Sequence, residues 1–377
     1  MTIKRPLTIV QCVNSLDLGG LERMVLSLAQ QLKIRGYGST ICCIENRGTL
    51  ADEAEQLGIP VYAIEMARHG KWRGFQNMRH HLTTNPQPVI LHSHNFKPVY
   101  YSSLATMFGA SRGHIHTRHG ALLQQHRAMW RYRFLRHWVD AWVTVSADRQ
   151  AELAERTGLP PSAIHVLANG VDTVKFCPTT DKPAIRRQLK LPEHAPAIMV
   201  AARLAPEKDL GTLLRAFAQV HRAVPSAELW FIGDGPERPG LQSLGHDLGI
   251  SSQVRFIGQR NDVDQFLKAA DVFVLSSLSE GLSVALIEAA ASGLPIVATD
   301  VGGNCEVVKA PESGRLVPVG NPPALAASLI EILQSEPLRV QMGQASRAIA
   351  LEKFGIAQMT DRYVALYEDA IRRRQCR

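Results

Sequence analysis

Cysteines are scarce in this sequence, and their arrangement argues against a disulfide framework or a zinc site. Only six occur in 377 residues, and only Cys42 and Cys43 lie close together. No C-x-x-C motif is present, and no cysteine stands beside the histidine pairs at zinc-ligand spacing. We therefore expect a reducing compartment and a fold without disulfides.

Long hydrophobic runs are also absent. No stretch approaches the ~18 consecutive apolar residues of a membrane-spanning helix. The short basic lead and apolar run at the N-terminus resemble a secretory signal, but no small-residue cleavage site follows them. We interpret the run as a first strand and expect a cytoplasmic protein.

Acidic residues are missing from a long part of the first half. None occurs between Glu65 and Asp140, although residues 66–139 carry 11 Lys and Arg. Residues 1–172 have a formal charge of +7 (19 Lys and Arg against 12 Asp and Glu), which leaves only +1 of the total of +8 for the remainder. This asymmetry indicates that one half meets an anionic partner.

The sequence does contain a regular alternation of short apolar runs with amphipathic segments, and 45% of its residues are hydrophobic. The alternation predicts βαβ units around parallel sheets. The runs lack a period of two, as expected for strands that are covered on both faces. The predicted strands are 7–13, 39–45, 59–65, 88–94, 113–119, 140–146, 162–169, 196–203, 227–235, 253–258, 270–277, 295–300 and 314–320.

A turn-rich stretch with two prolines, residues 169–183, divides the chain and indicates a linker. We predict an N-terminal domain over 1–172 and a C-terminal domain over 183–354, each a doubly wound α/β fold. Ligands of such sheets bind beyond the C-terminal ends of the strands. Two domains that face each other would form a cleft there.

The first predicted strand ends in a glycine pair, Gly19 and Gly20, before a helix whose N-terminus favours anions. The pattern is not G-x-G-x-x-G, so a nicotinamide oxidoreductase is disfavoured. An ordinary strand-to-helix turn explains the pair about as well as a phosphate site.

In the second half, Arg203 and Lys208 follow a predicted strand and could clamp a diphosphate. In isolation, such a pair is more often solvated surface charge. Gly233 and Gly258 end the next two strands. Glycines at successive strand ends favour a ligand that lies across the sheet edge.

Two glutamates, Glu280 and Glu288, lie around the start of a predicted helix. Eight helical residues span about 12 Å, which is comparable with a sugar–diphosphate–ribose unit. We predict that the two acids take hydroxyls at its two ends, while N–H groups of Gly281, Leu282 and Ser283 face phosphate. An exposed helix acid is the alternative for Glu288, but its small and apolar neighbours disfavour it.

These motifs occur together in an order that resembles the retaining glycosyltransferases of family 4, the group 1 glycosyl transferases of GT-B fold. Glu280 and Glu288 match the family's Glu-x7-Glu signature. The resemblance extends over nearly the whole chain, including LGGLERMVLSLAQQL, HTRHG, NGVDTVKF and the closing helix from Phe354 to Tyr367. It implies two Rossmann-like domains facing across a cleft, with a last helix of about 355–377 crossing back onto the N-terminal domain.

The resemblance implies transfer of a hexose-type sugar, with retention, from a UDP- or GDP-linked donor to a glycan or lipid-linked acceptor in polysaccharide or lipopolysaccharide synthesis. Arg203 and Lys208 would neutralise the diphosphate. Glu288 would hold the ribose, and Glu280 would contact the donor sugar.

On the same resemblance, His119 would lie near the reacting sugar, and Gly20 would let the first loop approach the phosphate. We expect the base to be recognised by backbone around Gly258, Gln259 and Arg260. Leaving-group charge must be stabilised by cations and helix ends where no metal acts. No D-x-D motif with a suitable metal cluster follows, so we predict no metal and no other cofactor.

Four histidines alternate along two predicted strands: His92, His94, His114 and His116. This pattern suggests metal ligands at first sight. Single histidines at strand positions are more often hydrogen-bonded structural residues, and only His119 belongs to a motif.

Residues 112–137 contain six arginines with aromatic residues among them. A basic, aromatic helix can lie on an anionic bilayer or hold an anionic acceptor, although an ordinary amphipathic helix is the alternative. We predict that this segment binds the acceptor or the inner face of the plasma membrane through Arg118, Arg127, Trp130, Arg131 and Arg133.

Two other functions stay open. A nucleotide-sugar 2-epimerase has the same architecture, although Arg203 and Lys208 together with the Glu-x7-Glu pair favour transfer. A non-catalytic protein that binds anionic surfaces is suggested by the pI of about 9.3. Nucleic acid is not an expected partner, because no helix-turn-helix, RNA-recognition or zinc-finger pattern is present.

Overall fold

The computed structural model describes residues 7–120 and 129–375, and the chain divides into two compact units. Unit 1 combines Met1–Gly170 with Ile356–Arg377, and unit 2 is Val171–Gly355. Each unit has a parallel sheet covered by helices. The predicted class, two doubly wound α/β folds, is therefore confirmed.

In the described part of unit 1, seven parallel strands pair in the order β3-β2-β1-β4-β5-β6-β7. The central strands are buried on both faces, which explains why their sequences lack alternation. The strands are β1 (Thr8–Val13), β2 (Gly38–Cys43), β3 (Val61–Ala63), β4 (Val89–His94), β5 (Gly113–Arg118), β6 (Ala141–Thr144) and β7 (Ile164–Val166).

Helices connect most of these parallel strands. One of them, α3, bends at Gly70, whose φ of 77° departs from helical geometry. The helices are α1 (Gly20–Ile34), α2 (Ala51–Gln56), α3 (Met66–Thr83), α4 (Phe96–Met107), α5 (Met129–Leu135) and α6 (Ala147–Thr157).

Unit 2 repeats the arrangement with six parallel strands in the order β10-β9-β8-β11-β12-β13. The strands are β8 (Ala197–Ala201), β9 (Glu228–Ile232), β10 (Val254–Gly258), β11 (Val272–Leu275), β12 (Ile296–Thr299) and β13 (Gly314–Val317). The helices are α7 (Lys182–Gln188), α8 (Leu210–Ala223), α9 (Arg238–Asp247), α10 (Val263–Ala269), α11 (Val284–Ala291), α12 (Asn304–Val307), α13 (Pro322–Gln334) and α14 (Glu336–Lys353).

A last helix, α15 (Ile356–Gln375), belongs to unit 1 although it follows unit 2 in the chain. Its Tyr363 and Tyr367 are almost completely buried. Arg374 forms an ion pair with Asp140 just before β6, with 2.8 Å between Nε and Oδ2. Helix α15 is thus part of the core of unit 1.

The stretch predicted as a linker is held within unit 2. The Val171 N–H donates to the Phe354 carbonyl at 2.8 Å. Arg347 donates to the carbonyls of Phe176 at 2.7 Å and Thr173 at 2.9 Å. Side-chain and backbone hydrogen bonds therefore fix this turn-rich segment.

The strand order reverses direction at one point in each sheet, between β1 and β4 and between β8 and β11. Loops diverge there, so open α/β sheets bind ligands beyond the strand ends at such a point. Arg203 and Lys208 follow β8, and the loop with Glu280 follows β11. The sequence predicts all three residues as part of the ligand site.

Candidate functional site

The loops that follow β8 and β11 are hydrogen-bonded to each other. Ser276 Oγ donates to the carbonyls of Lys208 at 2.9 Å and Asp209 at 3.1 Å. The Leu278 N–H donates to the Glu207 carbonyl at 2.9 Å. These bonds hold Lys208 beside the Glu280 loop, although the two residues are far apart in sequence.

Lys208 and Glu280 form an ion pair, with 2.6 Å between Nζ and Oε1. The same Oε1 accepts a hydrogen bond from Ser277 Oγ at 2.7 Å. Only 20% of the Lys208 side chain and 10% of the Glu280 side chain are exposed. An ammonium has three N–H donors, so Lys208 can hold Glu280 and an anionic ligand together.

Helix α11 begins immediately after this pair. Its N-cap is Ser283, whose Oγ accepts from the Leu286 N–H at 3.4 Å. Gly281 and the Leu282 side chain are buried, so these two residues can offer a ligand only backbone groups. The N-terminus of α11, with its partial positive charge, therefore lies next to Lys208 and Glu280.

Glu288 lies in the second turn of α11, as its spacing predicts, but the structure corrects its predicted burial. The residue is partly exposed, whereas Ile287 and Ala289 beside it are buried. A partly exposed carboxylate keeps part of its hydration, so the position of Glu288 does not by itself require a ribose hydroxyl as a partner. The assignment of Glu288 to the ribose remains a prediction.

Two glycines let these strand ends approach closely. Gly233 has a φ of 133°, and a Cβ there would lie 2.0 Å from the Ala202 carbonyl oxygen. Gly302 would place a Cβ 2.0 Å from the Glu280 carbonyl oxygen. A larger residue at Gly233 would push the end of β9 away from the loop after β8, and one at Gly302 would push the end of β12 away from the loop after β11.

The other donor-site residues predicted in unit 2 differ in their surroundings. Arg203 is exposed beside the loop that carries Lys208. Gly258 ends β10, and Gln259 after it is exposed. Arg260 forms a bidentate pair with Asp262, with distances of 2.8 and 2.7 Å, so its guanidinium is already engaged.

In unit 1, Gly19 is the N-cap of α1 and Gly20 is its first residue, as predicted for a strand-to-helix turn. A Cβ on Gly19 would lie 2.3 Å from the Glu22 side chain. Burial raises the pKa of Glu22, and Asp17 nearby adds to the rise. Glu22 lies in the first turn of α1, so it disfavours binding of an anion on that side of the helix N-terminus.

His119 follows β5 and is hydrogen-bonded to other residues of unit 1. Its Nε2 lies 2.9 Å from His94 Nδ1, and His94 Nε2 lies 2.8 Å from Gln11 Oε1. With Gln11 Oε1 as acceptor, His94 carries its proton on Nε2 and accepts from His119 through Nδ1. The His119 ring also hydrogen-bonds the Asn169 side chain.

This network keeps His119 neutral. Burial, together with the nearby charge of Arg118, lowers its pKa to about 3, although the Asn169 hydrogen bond opposes the shift. Burial also lowers the pKa of His94 well below its ordinary value. The Nε2–H of His119 is committed to His94. Its ring also hydrogen-bonds Asn169, and its backbone N–H donates to Asn95 Oδ1 at 3.3 Å, so protein groups orient this residue.

The other three strand histidines are hydrogen-bonded to hydroxyl groups, as structural histidines are. His92 lies 2.7 Å from the Tyr367 hydroxyl. His114 and His116 lie 2.8 and 3.0 Å from Ser93 Oγ. In the described part of the chain, no group of three or more His, Cys, Asp or Glu is placed to hold a metal ion.

The basic segment 112–137 does not form one helix. It contains β5 and the short α5, whose Tyr132 and Leu135 are buried. Arg133 is exposed, and Arg118 is partly buried and donates to the Gly120 carbonyl at 3.1 Å. Of the other residues predicted to bind acceptor or membrane, Arg127 and the side chains of Trp130 and Arg131 lie outside the described residues.

The sequence did not reveal the residues that organise these sites. Ser276 and Ser277 hold the pair in unit 2, while Gln11 and Asn169 hold His94 and His119 in unit 1. These are common polar residues, and only Asn169 belongs to a quoted motif, as the first residue of NGVDTVKF. Their one signal is position, because Ser276, Ser277 and Asn169 follow strand ends.

Comparisons with known proteins agree with this architecture. The profile of glycosyl transferases group 1 matches residues 181–349, and that of glycosyltransferase family 4 matches residues 18–175. The Anabaena protein HepE in complex with UDP-glucose has the same fold, with a TM-score of 0.84 at 19% identity over 96% of this chain and 99% of that one. The GT-B fold is thereby confirmed.

Two sequence relatives have assigned activities. The lipopolysaccharide core biosynthesis glycosyltransferase LpsE of Rhizobium meliloti is 34% identical, over 48% of this chain and only about half (52%) of its own length. An Escherichia coli UDP-Gal:alpha-D-GlcNAc-diphosphoundecaprenol alpha-1,3-galactosyltransferase is 25% identical over 94% of this chain and 95% of its own. With the two profiles, they establish that the chain belongs to the group 1 glycosyl transferases of family 4.

Proposed function

We propose that the protein transfers a hexose-type sugar from a nucleotide-diphosphate sugar to a glycan or lipid-linked acceptor. The observation that carries this proposal is the Lys208–Glu280 pair at the N-terminus of α11. It combines a cation, an acid and helix N–H groups where the strand order reverses. A sugar–diphosphate has hydroxyls and phosphates that suit these groups.

The chemistry follows from the charge that develops during transfer. When the bond from the anomeric carbon to the diphosphate breaks, negative charge grows on the phosphate oxygens. Lys208, Arg203 and the N-terminus of α11 are proposed to stabilise that charge without a metal ion. Glu280 is proposed to orient the sugar by accepting hydrogen bonds from its hydroxyl groups.

The acceptor and the stereochemistry are the finer parts of the proposal. We propose retention by a front-face route, in which the departing phosphate helps to deprotonate the acceptor. His119 is proposed to contact the donor sugar, with its ring neutral because of its low pKa. NMR of the earliest product tests retention, and an inverted anomer would refute it.

The donor class is supported by proteins of the same fold and family. HepE was solved with UDP-glucose, and the E. coli relative uses UDP-galactose. We propose a UDP- or GDP-linked donor and a role in polysaccharide or lipopolysaccharide synthesis, the latter being the pathway named for LpsE. We further propose that the protein acts at the cytoplasmic face of the membrane.

Thermal unfolding with UDP, GDP, ADP and their sugar conjugates tests the donor site. A ligand at 100 times its Kd adds ~2.7 kcal/mol of stability, which corresponds to several degrees in Tm at ~2–4 °C per kcal/mol. We expect a shift with one base that Glu288→Ala abolishes. Glu352→Ala, an exposed acid on α14, is the matched control and should leave the shift unchanged.

A direct assay completes the test. Incubation with the stabilising donor should yield a glycosylated acceptor, or slow release of free sugar when no acceptor is added. The absence of a shift with every nucleotide would contradict the donor site. Conversion of the donor into its C2 epimer would favour the epimerase alternative.

A further inference from the structure

An apolar patch is exposed where α3 lies beside the end of α4. Trp72 is 68% exposed, Phe108 is 51% exposed and Met107 is 38% exposed. The buried Phe75 joins the two aromatic rings, with its ring centroid 6.1 Å from that of Trp72 and 5.7 Å from that of Phe108. The three exposed residues are here called the α3–α4 patch, and Phe75, which lies against both exposed rings, anchors the patch in the core.

Exposure of this kind is unusual for a structural element. Helix α3 already buries a complete stripe of Phe75, Met78 and Leu82 against unit 1. Trp72 lies one turn before Phe75, at the margin of that stripe, so the core of unit 1 does not need it. Large aromatic residues at the margin of an amphipathic helix suit the boundary between water and lipid.

The surface around the α3–α4 patch is basic. Arg73 and Arg79 are exposed on α3. Arg68 is also exposed, and it shares Glu65 with His69 at 3.2 Å from each. Because no acid follows Glu65 until Asp140, neither α3 nor α4 offers a carboxylate to offset these charges.

The other basic segment is less suited to such contact. Among its described side chains, α5 exposes Phe134 but buries Tyr132 and Leu135. Arg136 donates to the Gly158 carbonyl at the end of α6, at 3.2 Å. Arg136 therefore helps to hold the fold. Arg133 and Phe134 are exposed on α5, but only Phe134 adds apolar surface there, whereas α3 and α4 together expose Trp72, Met107 and Phe108.

We propose that the α3–α4 patch docks on an anionic lipid bilayer, with Trp72 and Phe108 in the interface and Arg73 and Arg79 against lipid headgroups. Charge complementarity selects this partner, since a neutral protein surface would not need the surrounding cations. The purpose of docking rests on the proposed function, because a lipid-linked acceptor is presented at a bilayer. The binding itself does not require that function.

Co-sedimentation with vesicles tests the docking in the absence of any nucleotide sugar. We expect the full chain to bind vesicles of phosphatidylcholine and phosphatidylglycerol and to bind pure phosphatidylcholine far less. Each basic residue near an anionic surface strengthens binding about five-fold. Arg73→Glu with Arg79→Glu should therefore weaken binding by at least about 20-fold. Arg215→Glu with Arg362→Glu changes the same net charge at exposed sites on α8 and α15 and should bind like the parent protein.

Fluorescence quenching by brominated lipids locates the contact. Trp72→Phe should still bind vesicles while losing the quenched component. The proposal is overturned if the parent protein does not bind anionic vesicles, if both charge-reversed variants bind equally, or if quenching persists in Trp72→Phe. The nucleotide-dependent Tm shift, measured on the same variants, reports on the donor site alone, so failure of docking and failure of the proposed function are distinguished.

Discussion

At the scale of single residues, the pair of Lys208 and Glu280 links folding with the proposed chemistry. Both side chains are largely shielded from water, and Ser277 Oγ also donates to Glu280 Oε1. Removing one charge leaves the other poorly solvated, while removing both does not. The pair can therefore be examined for stability and for transfer separately.

Lys208→Met should lower the free energy of unfolding by about 1–3 kcal/mol, because the Glu280 carboxylate loses its counter-ion. Lys208→Met with Glu280→Gln should recover part of this loss. Urea unfolding at neutral pH measures both effects. A double variant as unstable as the sum of the two single variants would show that the residues do not interact.

Transfer activity gives the complementary result. Glu280→Gln keeps the shape of the side chain but weakens its hydrogen bonds to sugar hydroxyls. We expect the rate to fall by roughly 100-fold, which corresponds to ~2.7 kcal/mol of lost transition-state stabilisation. An unchanged rate in this variant would remove Glu280 from the proposed site.

Local sequence patterns identified these residues but not their partners. The spacing of Glu280 and Glu288 follows from helix geometry, which neighbouring residues determine. The contact of Glu280 with Lys208 depends on which strands pair in the sheet, and no short segment encodes that. The exposure of Glu288 likewise depends on what packs against α11, so its small and apolar neighbours gave a misleading estimate of burial.

At the scale of whole elements, α15 completes unit 1. Its Tyr367 hydroxyl lies 2.7 Å from His92 Nδ1, and its Tyr363 hydroxyl lies 3.1 Å from Thr117 Oγ1. His92 in turn lies against His94, with 4.2 Å between ring centroids. The helix is therefore connected through buried side chains to the histidine that holds His119.

Tyr367→Phe tests this connection. The change leaves His92 Nδ1 buried without its hydroxyl partner, so we expect a loss of about 1–3 kcal/mol in the free energy of unfolding, measured with urea. Tyr100→Phe, at a partly exposed tyrosine of α4, is the matched control and should be nearly neutral. Equal effects of the two changes would indicate that the Tyr367 hydroxyl contributes nothing. The nucleotide-dependent Tm shift should survive, because its proposed site lies in unit 2.

The elements themselves were largely predictable, since apolar runs and helix periodicity are local signals. Each predicted strand overlaps one of β1–β13, and the boundaries differ by a few residues. The short α7 was not predicted. It starts at Lys182, at the end of the stretch that was predicted to be a linker. Within 112–137, the predicted strand 113–119 is confirmed as β5, and the described helix is the short α5, so the arginines of this segment are not carried by one helix.

At the scale of the whole molecule, the histidines make stability depend on pH. Burial lowers the pKa of the histidines on and just after β4 and β5, and for His114 to about 3 from an ordinary value of 6.5. In the unfolded chain these rings bind protons below pH 6.5, whereas in the folded protein they stay neutral. Stability therefore falls as the pH decreases from about 6.5 towards 3.

For His114, which is fully buried, the loss at pH 5 is about 2 kcal/mol relative to neutral pH. Urea unfolding at pH 7.5, 6 and 5 measures the slope. His114→Asn should make the dependence of stability on pH less steep, because an amide does not titrate in this range. His246→Asn, at a histidine whose side chain is 86% exposed, should leave the slope unchanged. Identical slopes for His114→Asn and the parent protein would contradict this account.

In the described chain, no helix is both long and apolar enough to cross a bilayer. The α3–α4 patch is a surface whose association with membrane can be tested. Its aromatic residues are far apart in sequence and are brought together by the packing of α3 on α4. The sequence therefore showed the basic charge of this region but not the apolar patch within it.

The return of α15 to unit 1 has a consequence for biosynthesis. The strands of unit 1 leave the ribosome first, yet Tyr363 and Tyr367 emerge only after unit 2 has been translated. These partners are 275 and 246 residues apart, so at about 5–20 residues per second His92 and Thr117 wait roughly 12 to 55 s for those hydroxyls. Unit 2 is continuous in sequence and can fold as soon as it emerges, so the later-translated half of the nascent chain is expected to mature before the earlier one.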